Sequence, residues 1–470
     1  MGYSVGVVGG GAAGMMAAVT AARCGAAVTL LEGNDRPGKK LLSTGNGKCN
    51  LGNEKLDIKE YYTNCPEVLE KCLARFATAD TIAFFQGIGL LLKSKNGYLY
   101  PMSEQASSVL DVLRYELRRQ GVQVITDCKV DNIEISSQAE SISQASSRAA
   151  HRSGKMTVIT AAGCGTAVTL PVGNEARDAY LAEYQKRAGA RNTERNNAQQ
   201  NSRCIRLESR GNIYCFDRVI LACGGQAAPK TGSDGSGYRL AEKLGHRLVP
   251  VVPALVQMRC REDFFKSIAG VRADAMLTVT AGSGEAIQER GELQLTDYGI
   301  SGIPVFQLSR VINYILRKKK DVEVRIDFLP DITEEALNNL ATERKHLRKG
   351  CTVEAFFTGI LNKKLMLLFI RLAGLKAAED AAAADPEKMR RVYELCKCFP
   401  VHVSGSNSYD NAQVCAGGVP LNEVTAHLKS RKAPGVYFAG EILDVDGKCG
   451  GYNLQWAWCS GHIAGMAASR

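Results

Sequence analysis

The apolar run Val5-Gly6-Val7-Val8 passes directly into Gly9-Gly10-Gly11-Ala12-Ala13-Gly14, and an acid, Glu32, closes the next apolar run eighteen residues after Gly14. Few sequence features constrain a fold more. A strand feeding a Gly-x-Gly-x-x-Gly turn, then a helix, then a second strand ending in an acid is the βαβ unit that grips an adenine dinucleotide. Gly9 permits the tight turn, Gly11 lets backbone approach a pyrophosphate, and Gly14 lets the helix pack closely on the sheet. The helix N-terminus presents free N–H groups to phosphate, and Glu32 is placed to accept from ribose hydroxyls.

The rest of the chain is long for a single core. Its 470 residues, 45% hydrophobic and 23% charged, fit two or three soluble domains. No apolar run is long enough to span a bilayer, and the glycine-broken N-terminus reads as a buried strand and helix rather than a signal peptide. Sixteen cysteines are scattered without a CxxC pair, only Cys396 and Cys398 lying close together. That spacing fits reduced thiols in a cytoplasmic protein better than disulfides or a metal site, and no metal is expected. The net charge of +11 raises the question of nucleic acid. Clusters such as Arg317-Lys318-Lys319-Lys320 and Lys186-Arg187 lack interleaved aromatics, however, and read as solvated surface.

Apolar residues at Val109, Leu110, Leu113 and Leu117 predict a helix over 105–120, capped at Ser103, followed by a strand at Val122-Gln123-Val124-Ile125. Polar insertions occupy about 136–153 and 174–202, with short strands between them at 156–160 and 167–170. Asp217 to Gly225 is a buried strand ending in a glycine turn. The block from Pro250 to about Asp327 favours strands and turns, and 334–375 favours helix. The simplest organisation is a dinucleotide domain, residues 1–249 and 400–470, interrupted by an inserted β-plus-α substrate or cap domain at 250–399.

The C-terminal segment separates flavin from nicotinamide. Gly435-Val436-Tyr437-Phe438-Ala439-Gly440-Glu441 is a strand ending in glycine plus acid, suited to bring a carboxylate to a ribityl chain. Gly450-Gly451-Tyr452-Asn453-Leu454 then opens a helix whose positive end could face a flavin pyrimidine edge. The loop from Arg36 to Asn50, with its glycines and cations, could pass beneath the pyrophosphate.

The segments GGGAAG, GKKLLSTGNGKCN, TGSDGSGY, TDYGISG and GVYFAGEILDVDGKCGGYNLQWAW, in that order, resemble the BaiN-like, or aminoacetone-oxidase-like, bacterial FAD-dependent oxidoreductases. The resemblance covers nearly the whole chain outside the polar insertions. It implies an α/β protein: a discontinuous FAD-binding Rossmann domain of the glutathione-reductase type, with an inserted β-barrel-like and helical domain. The motifs and the resemblance together make the FAD-binding set Gly9, Gly11, Ala12, Ala13 and Gly14; Glu32; Lys39, Lys40 and Leu41; Thr44, Gly45, Gly47, Cys49 and Asn50; Val130; Ala222, Gly224 and Gly225; Gly440 and Glu441; and Gly451, Asn453 and Leu454. Four positions depart from the family pattern: Asn46 stands for glycine, Lys48 for arginine, Cys223 for threonine and Ile303 for proline.

The resemblance further implies NAD(P)H-driven reduction of a C=C bond conjugated to a carbonyl, with a steroid or bile-acid-like enone as a small hydrophobic substrate. Such chemistry needs a proton donor, for which Tyr298, Tyr452 and His402 are candidates. Cys49 is a candidate of another kind, a redox-active thiol whose pKa the neighbouring Lys48 could lower, although no partner cysteine stands at CxxC or CxxxxC spacing and flavin contact is the favoured role. No second nucleotide-binding unit is evident: Gly163-Cys164-Gly165 and Gly282-Ser283-Gly284 both lack a third glycine, and the latter reads as a hairpin. NAD(P)H would therefore dock transiently. The alternatives are a flavin oxidase of small amines or alcohols, an FAD-dependent RNA-modifying enzyme, and a flavin-based sensor without turnover.

Overall fold

A computed structural model describes residues 2–137, 156–160, 167–170, 203–281, 284–348 and 350–470. The polar insertions, apart from residues 136 and 137, and the Gly163-Cys164-Gly165 stretch lie outside them. The chain divides into two compact units, Met1–Val251 with Ala416–Arg470, and Val252–Cys415.

In the first unit five parallel strands form a sheet in the order Val436–Phe438, Arg218–Leu221, Ser4–Val8, Ala27–Leu31 and Gln123–Ile125. The opening strand is central, and all five of its residues are buried. The opening helix, Ala12–Arg23, is buried almost all round, from Ala13 to Ala21, because a second helix covers the side that the sheet leaves free. That helix is the closing one, Tyr452–Ser469. Small residues set the approach: a Cβ at Gly461 would lie 2.4 Å from the Ala13 carbonyl oxygen, and one at Gly465 would lie 2.4 Å from that of Ala17. The two ends of the polypeptide are thus packed backbone to backbone.

The helix expected over 105–120 spans Ala106–Arg119. Gln105, not Ser103, is its N-cap residue, and the Ser103 hydroxyl accepts from the Gln105 N–H instead. Its buried Glu116 accepts from Arg23 at 2.7 Å and Arg119 at 2.7 Å, tying it to the end of the opening helix. A second sheet joins Asn132–Ser137, Arg203–Ser209, Asn212–Phe216, Met156–Thr160 and Ala167–Leu170.

The second unit is built on a closed barrel of six antiparallel strands: Met258–Cys260, Gly299–Gly302, Ala286–Leu295, Arg272–Thr280, Val322–Asp327 and Phe399–Ser406. Alternation drives it: Ala275, Leu277 and Val279, and Val322, Val324 and Ile326, are buried while their neighbours are not. The boundaries drawn at 249/250 and 399/400 fall instead at 251/252 and 415/416. The later one moves because Phe399–Ser406 pairs on both sides and closes the barrel. Arg272–Thr280 and Ala286–Leu295 pair antiparallel up to Thr280 with Ala286, while Gly282 and Ser283 of the Gly282-Ser283-Gly284 stretch lie outside the described residues.

Strands and turns do not account for all of 250–327, since Ile303–Leu316 is a helix. Pro304 in its first turn and buried Val305, Leu308 and Ile312 carry the helical spacing that marks it. Helices Glu334–Leu347, Val353–Phe357, Lys363–Leu372 and Pro386–Lys397 complete the unit. Thr333, Thr352, Asn362 and Asp385 cap them through their side chains.

Candidate functional site

The opening glycine turn shows why each glycine is there. Gly9 has φ +100°, and a Cβ on it would meet the Ala222 carbonyl oxygen at 2.6 Å. A Cβ on Gly14 would sit 1.8 Å from the Gly9 carbonyl oxygen. At Gly11 the outcome is opposite: a Cβ would meet nothing within 4 Å. Two glycines therefore close the turn onto the sheet, while the third faces an open cradle at the helix start. The first-turn N–H groups there have no acceptor within the helix.

Glu32, buried at the end of its strand, accepts from the Gly10 N–H at 2.7 Å through one oxygen. Its other oxygen accepts from the Asn34 N–H at 2.8 Å and the Asn34 amide at 2.7 Å. The carboxylate is held in place with lone pairs left over for a ribose hydroxyl. Its backbone carbonyl accepts from the Cys128 N–H, which brings the buried Val130 segment alongside.

The second glycine turn and the C-terminal motif meet the first. A Cβ on Gly440 would lie 2.7 Å from Ala13 Cβ, and one on Gly225 would lie 2.7 Å from Glu441 Oε1 and 3.1 Å from the Tyr238 hydroxyl. Gly224 takes φ +71° beside Ser233. The Ala222 N–H donates to the Val8 carbonyl, and the Cys223 thiol donates to the same oxygen. Lys40 pairs with Glu441 at 2.8 Å, while Lys39 reaches out to Asp35. Gly440 is fixed from both sides: its N–H donates to Ser460 Oγ at 2.8 Å, and its carbonyl accepts from the Trp456 indole at 3.2 Å.

The 39–50 loop winds as a 3-10 turn, breaks at Thr44 and then runs through left-handed backbone at Gly45, Asn46 and Gly47. Leu41 is buried, and the Thr44 hydroxyl donates to its carbonyl. Asn50 joins the loop to the closing helix. With its amide nitrogen oriented toward the Leu99 and Gly52 carbonyls, its oxygen accepts from the Gly451 N–H at 3.3 Å. Gly451, φ +94°, admits no side chain because a Cβ would lie 2.5 Å from the Gly52 carbonyl oxygen. Asn453 uses its amide to brace the preceding loop, accepting from the Gly447 N–H and donating to its carbonyl. Leu454 is partly buried one residue further along the helix.

The candidate redox thiol and the candidate proton donors differ sharply. Cys49 is fully buried, and burial pushes its thiol up to about 12. The anticipated lowering by Lys48 does not arise, because that ammonium pairs with Glu104 at 2.8 Å. A protonated, inaccessible thiol is a packing group rather than a nucleophile. Tyr452 is buried at the helix start, and burial raises its phenol above the ordinary range, so it holds its proton through neutral pH. Tyr61 stacks edge-on against it and donates to its backbone carbonyl at 2.8 Å. Tyr298 belongs to the barrel unit, between Ala286–Leu295 and Gly299–Gly302, with Arg259 over its ring. His402, also in the barrel, is engaged by Glu262 at both its ring Nδ1 and its backbone N–H.

Several contributors escaped the sequence reading: the Lys40–Glu441 pair, Tyr61, Tyr238, Gly52 and the Trp456/Ser460 clasp. Trp456 and Ser460 are four apart on one helix, a spacing visible in the sequence. Tyr238 reaches Gly225 across a single turn and helix start, whereas the Lys40–Glu441 pair, Tyr61 and Gly52 join segments hundreds of residues apart, which no local signal announces.

A parallel sheet with a glycine turn, an oriented acid and two helix N-termini defines a Rossmann-type dinucleotide-binding protein, here carrying an inserted barrel. The chain belongs to the HI0933-like protein Rossmann domain family, which it matches over residues 3–186 and 178–467. It is 39% identical to the 3-dehydro-bile acid delta(4,6)-reductase of Clostridium scindens, over 99% of this chain and 98% of that one. It is 25% identical to the ribosomal RNA dihydrouridine synthase of Haemophilus influenzae, over 99% and 98%. Among solved structures, the 3-ketosteroid delta1-dehydrogenase of Sterolibacterium denitrificans superposes with a TM-score of 0.47 at 12% identity, over 99% of each chain. The family resemblance read from the motifs therefore holds. Among the described residues no helix is long and apolar enough to cross a membrane.

Proposed function

We propose that this protein is an FAD-dependent oxidoreductase that reduces a C=C bond conjugated to a carbonyl in a hydrophobic, steroid-like substrate, with NAD(P)H as donor. The observation that carries the reading is the meeting of the Gly440–Glu441 turn with Ala13, Gly225 and Lys40 from distant segments, in a chain 39% identical across its length to a named bile-acid reductase.

The residues present fit FAD. The open cradle at Gly11 and the first turn of the opening helix would hold the pyrophosphate, and Glu32 the adenosine ribose. Lys40 and Glu441 would orient the ribityl chain, and the first-turn N–H groups from Tyr452 to Leu454 would face the flavin pyrimidine edge. Bound FAD supplies the hydride for the enone β-carbon. Tyr452 holds a proton that it can donate as charge develops on substrate oxygen, and Tyr61 fixes the backbone that carries it. Tyr298 is the corresponding candidate on the barrel unit, which serves as the substrate domain.

The test is anaerobic mixing of purified protein with NADH or NADPH, followed by a 3-oxo-4-ene steroid. Flavin bleaching and its recovery with a saturated product support the proposal. Colourless protein after incubation with FAD, or reduced flavin indifferent to every enone, removes it.

A second reading has its own support: the 25% identity to a ribosomal RNA dihydrouridine synthase spans the whole chain, whose net charge is +11. The uracil 5,6 double bond is likewise conjugated to a carbonyl, so the same flavin chemistry would serve. Salt-titrated binding to ribosomal RNA, with mass analysis for uridine reduction, decides between the two.

A further inference from the structure

Away from the flavin turn, three buried polar side chains of the first unit form one hydrogen-bonded line. His246 follows the helix Ser236–Lys243 and is buried. Its ring Nδ1 lies 2.9 Å from Glu423 Oε2, and its Nε2 lies 2.7 Å from the Ser430 hydroxyl. An ionised carboxylate only accepts, so Nδ1 carries the hydrogen and Nε2 accepts from the Ser430 hydroxyl. The same hydroxyl oxygen accepts from the Lys432 N–H at 3.1 Å and the Ala433 N–H at 2.8 Å. Its one donor and two acceptor positions are thereby all in use.

The arrangement has no place for a second ring proton. An N–H at Nε2 would face an oxygen whose lone pairs are both committed, and the Ser430 hydrogen would lose its acceptor. Glu423 is already saturated. Its Oε1 accepts from Arg247 Nε at 2.9 Å and pairs with Lys432 Nζ at 2.8 Å, and Oε2 also accepts from the Arg247 N–H at 3.1 Å. An imidazolium would be a third cation on one carboxylate. Arg431 turns instead to the Val424 carbonyl, and the Phe438 ring stands edge-on, 4.8 Å from the imidazole. Burial acts in the same direction, favouring the neutral ring.

Both ends of this line lead to the flavin turn. The Ser430 N–H donates to the Val436 carbonyl and the Phe438 N–H to the Leu428 carbonyl, so the segment 428–430 is pinned to the strand Val436–Phe438. Gly440 stands two residues beyond that strand, with Glu441 after it. At the other end, the helix that His246 follows begins beside Gly225. The Gly235 N–H donates to the Gly225 carbonyl, and the Tyr238 hydroxyl lies against the same glycine.

We propose that Glu423, His246 and Ser430 form an acid-sensitive latch on the flavin site: a proton taken up at His246 Nε2 opens the line, frees both elements that carry the flavin turn, and weakens the hold on FAD. The inference rests on the FAD reading above for its consequence, but the opening itself is measurable without cofactor.

The experiment uses the full-length protein between pH 7.5 and 5, a range in which Glu423 stays ionised. Hydrogen exchange, corrected for its intrinsic pH dependence, should show 236–247 and 421–433 opening as pH falls below 6.5, the ordinary histidine value, with the barrel strands unchanged. The FAD dissociation constant should rise about tenfold over the same range, since uptake of one proton permits at most about tenfold per pH unit. His246→Gln, which takes up no proton, should flatten both curves. Arg247→Gln alters a side chain that is 78% exposed and removes one cation from Glu423. The closed latch then tolerates the imidazolium better, and the tenfold rise should shrink to about threefold. Exchange and FAD affinity that stay flat to pH 5 overturn the proposal, as does a response that survives His246→Gln. If His246→Gln does not fold, an undiminished response in Arg247→Gln overturns it instead. Opening that leaves FAD affinity constant also overturns it. Opening in a protein that binds no FAD at any pH leaves the acid-driven latch standing and removes the flavin reading.

Discussion

The two units of this protein are specified by opposite means. In the Rossmann unit the decisive residues are those without side chains. Gly9, Gly14, Gly440, Gly451, Gly461 and Gly465 each let backbone approach where a single methyl group would overlap another atom. In the barrel unit the decisive residues are large. Phe399 packs against Phe264, Phe369 and Phe328 at ring separations of 5.5, 4.8 and 6.2 Å, and alternating Val, Leu and Ile line the strands. A site that must receive a cofactor needs backbone exposed at close range, whereas a closed barrel needs its interior filled. The first unit should therefore be intolerant of added atoms and the second of removed ones.

The strongest way to break that contrast is Gly14→Ala. Its methyl group would meet backbone at 1.8 Å, which no rotamer relieves, and we expect a loss of more than about 3 kcal/mol together with loss of flavin colour. An alanine variant that purifies yellow would show the packing to be looser than described. Next, Phe399→Ala should cost about 3–5 kcal/mol in chemical denaturation, while flavin absorbance per mole of folded protein persists. Equal loss of flavin in both variants would erase the distinction between the units.

A third test uses pH. Burial raises the Glu423 carboxyl, but Lys432, Arg247 and His246 outweigh it and bring it to about 2, against an ordinary 4.5. The carboxyl binds its proton more readily in the unfolded chain, so its contribution is present above pH 4.5 and is lost as pH falls toward 2. Burial also holds the His246 imidazole below its usual range despite Glu423, so that group's contribution fades as pH falls through the ordinary histidine value. Stability of the Rossmann unit should thus decline on acidification in two steps. Glu423→Gln should remove the lower one, worth roughly 2–3 kcal/mol at neutral pH. A melting temperature that does not move between pH 7 and 2, or a lower step that survives in Glu423→Gln, contradicts this.

Smaller effects sharpen the site itself. Lys40→Met leaves Glu441 without its ion pair and should weaken FAD about tenfold by equilibrium titration, with the barrel unaffected. Cys49→Ala should change turnover by less than about threefold, since a thiol near 12 carries no thiolate at neutral pH. A drop of two orders of magnitude would restore a redox role to that sulfur.

Much of the fold was legible because its signals are local. Gly9–Gly14 and Glu32 sit within one βαβ unit, and Gly435–Glu441 shows the same strand-then-glycine grammar. The helix at Ile303–Leu316 was hidden inside a strand-rich block despite its spacing. The end of the insert was misplaced because a proline, Pro400, stands within the strand that closes the barrel. Cys49 was misread for a different reason: adjacency to Lys48 in sequence says nothing about where the ammonium points, and it points to Glu104.

By itself the sequence determined the local conformations, because glycine turns, caps and hydrophobic periods act through neighbours only a few bonds away. It also determined the chemical class, through motifs whose spacing a dinucleotide demands. Tertiary structure alone decided which distant groups meet: Gly440 on Ala13, Lys40 on Glu441, Asn50 on Gly451, and Glu104 between Lys48 and Lys93. Those contacts depend on how helices and sheets stack, and stacking is settled by the fit of whole surfaces, which no short stretch of chain encodes.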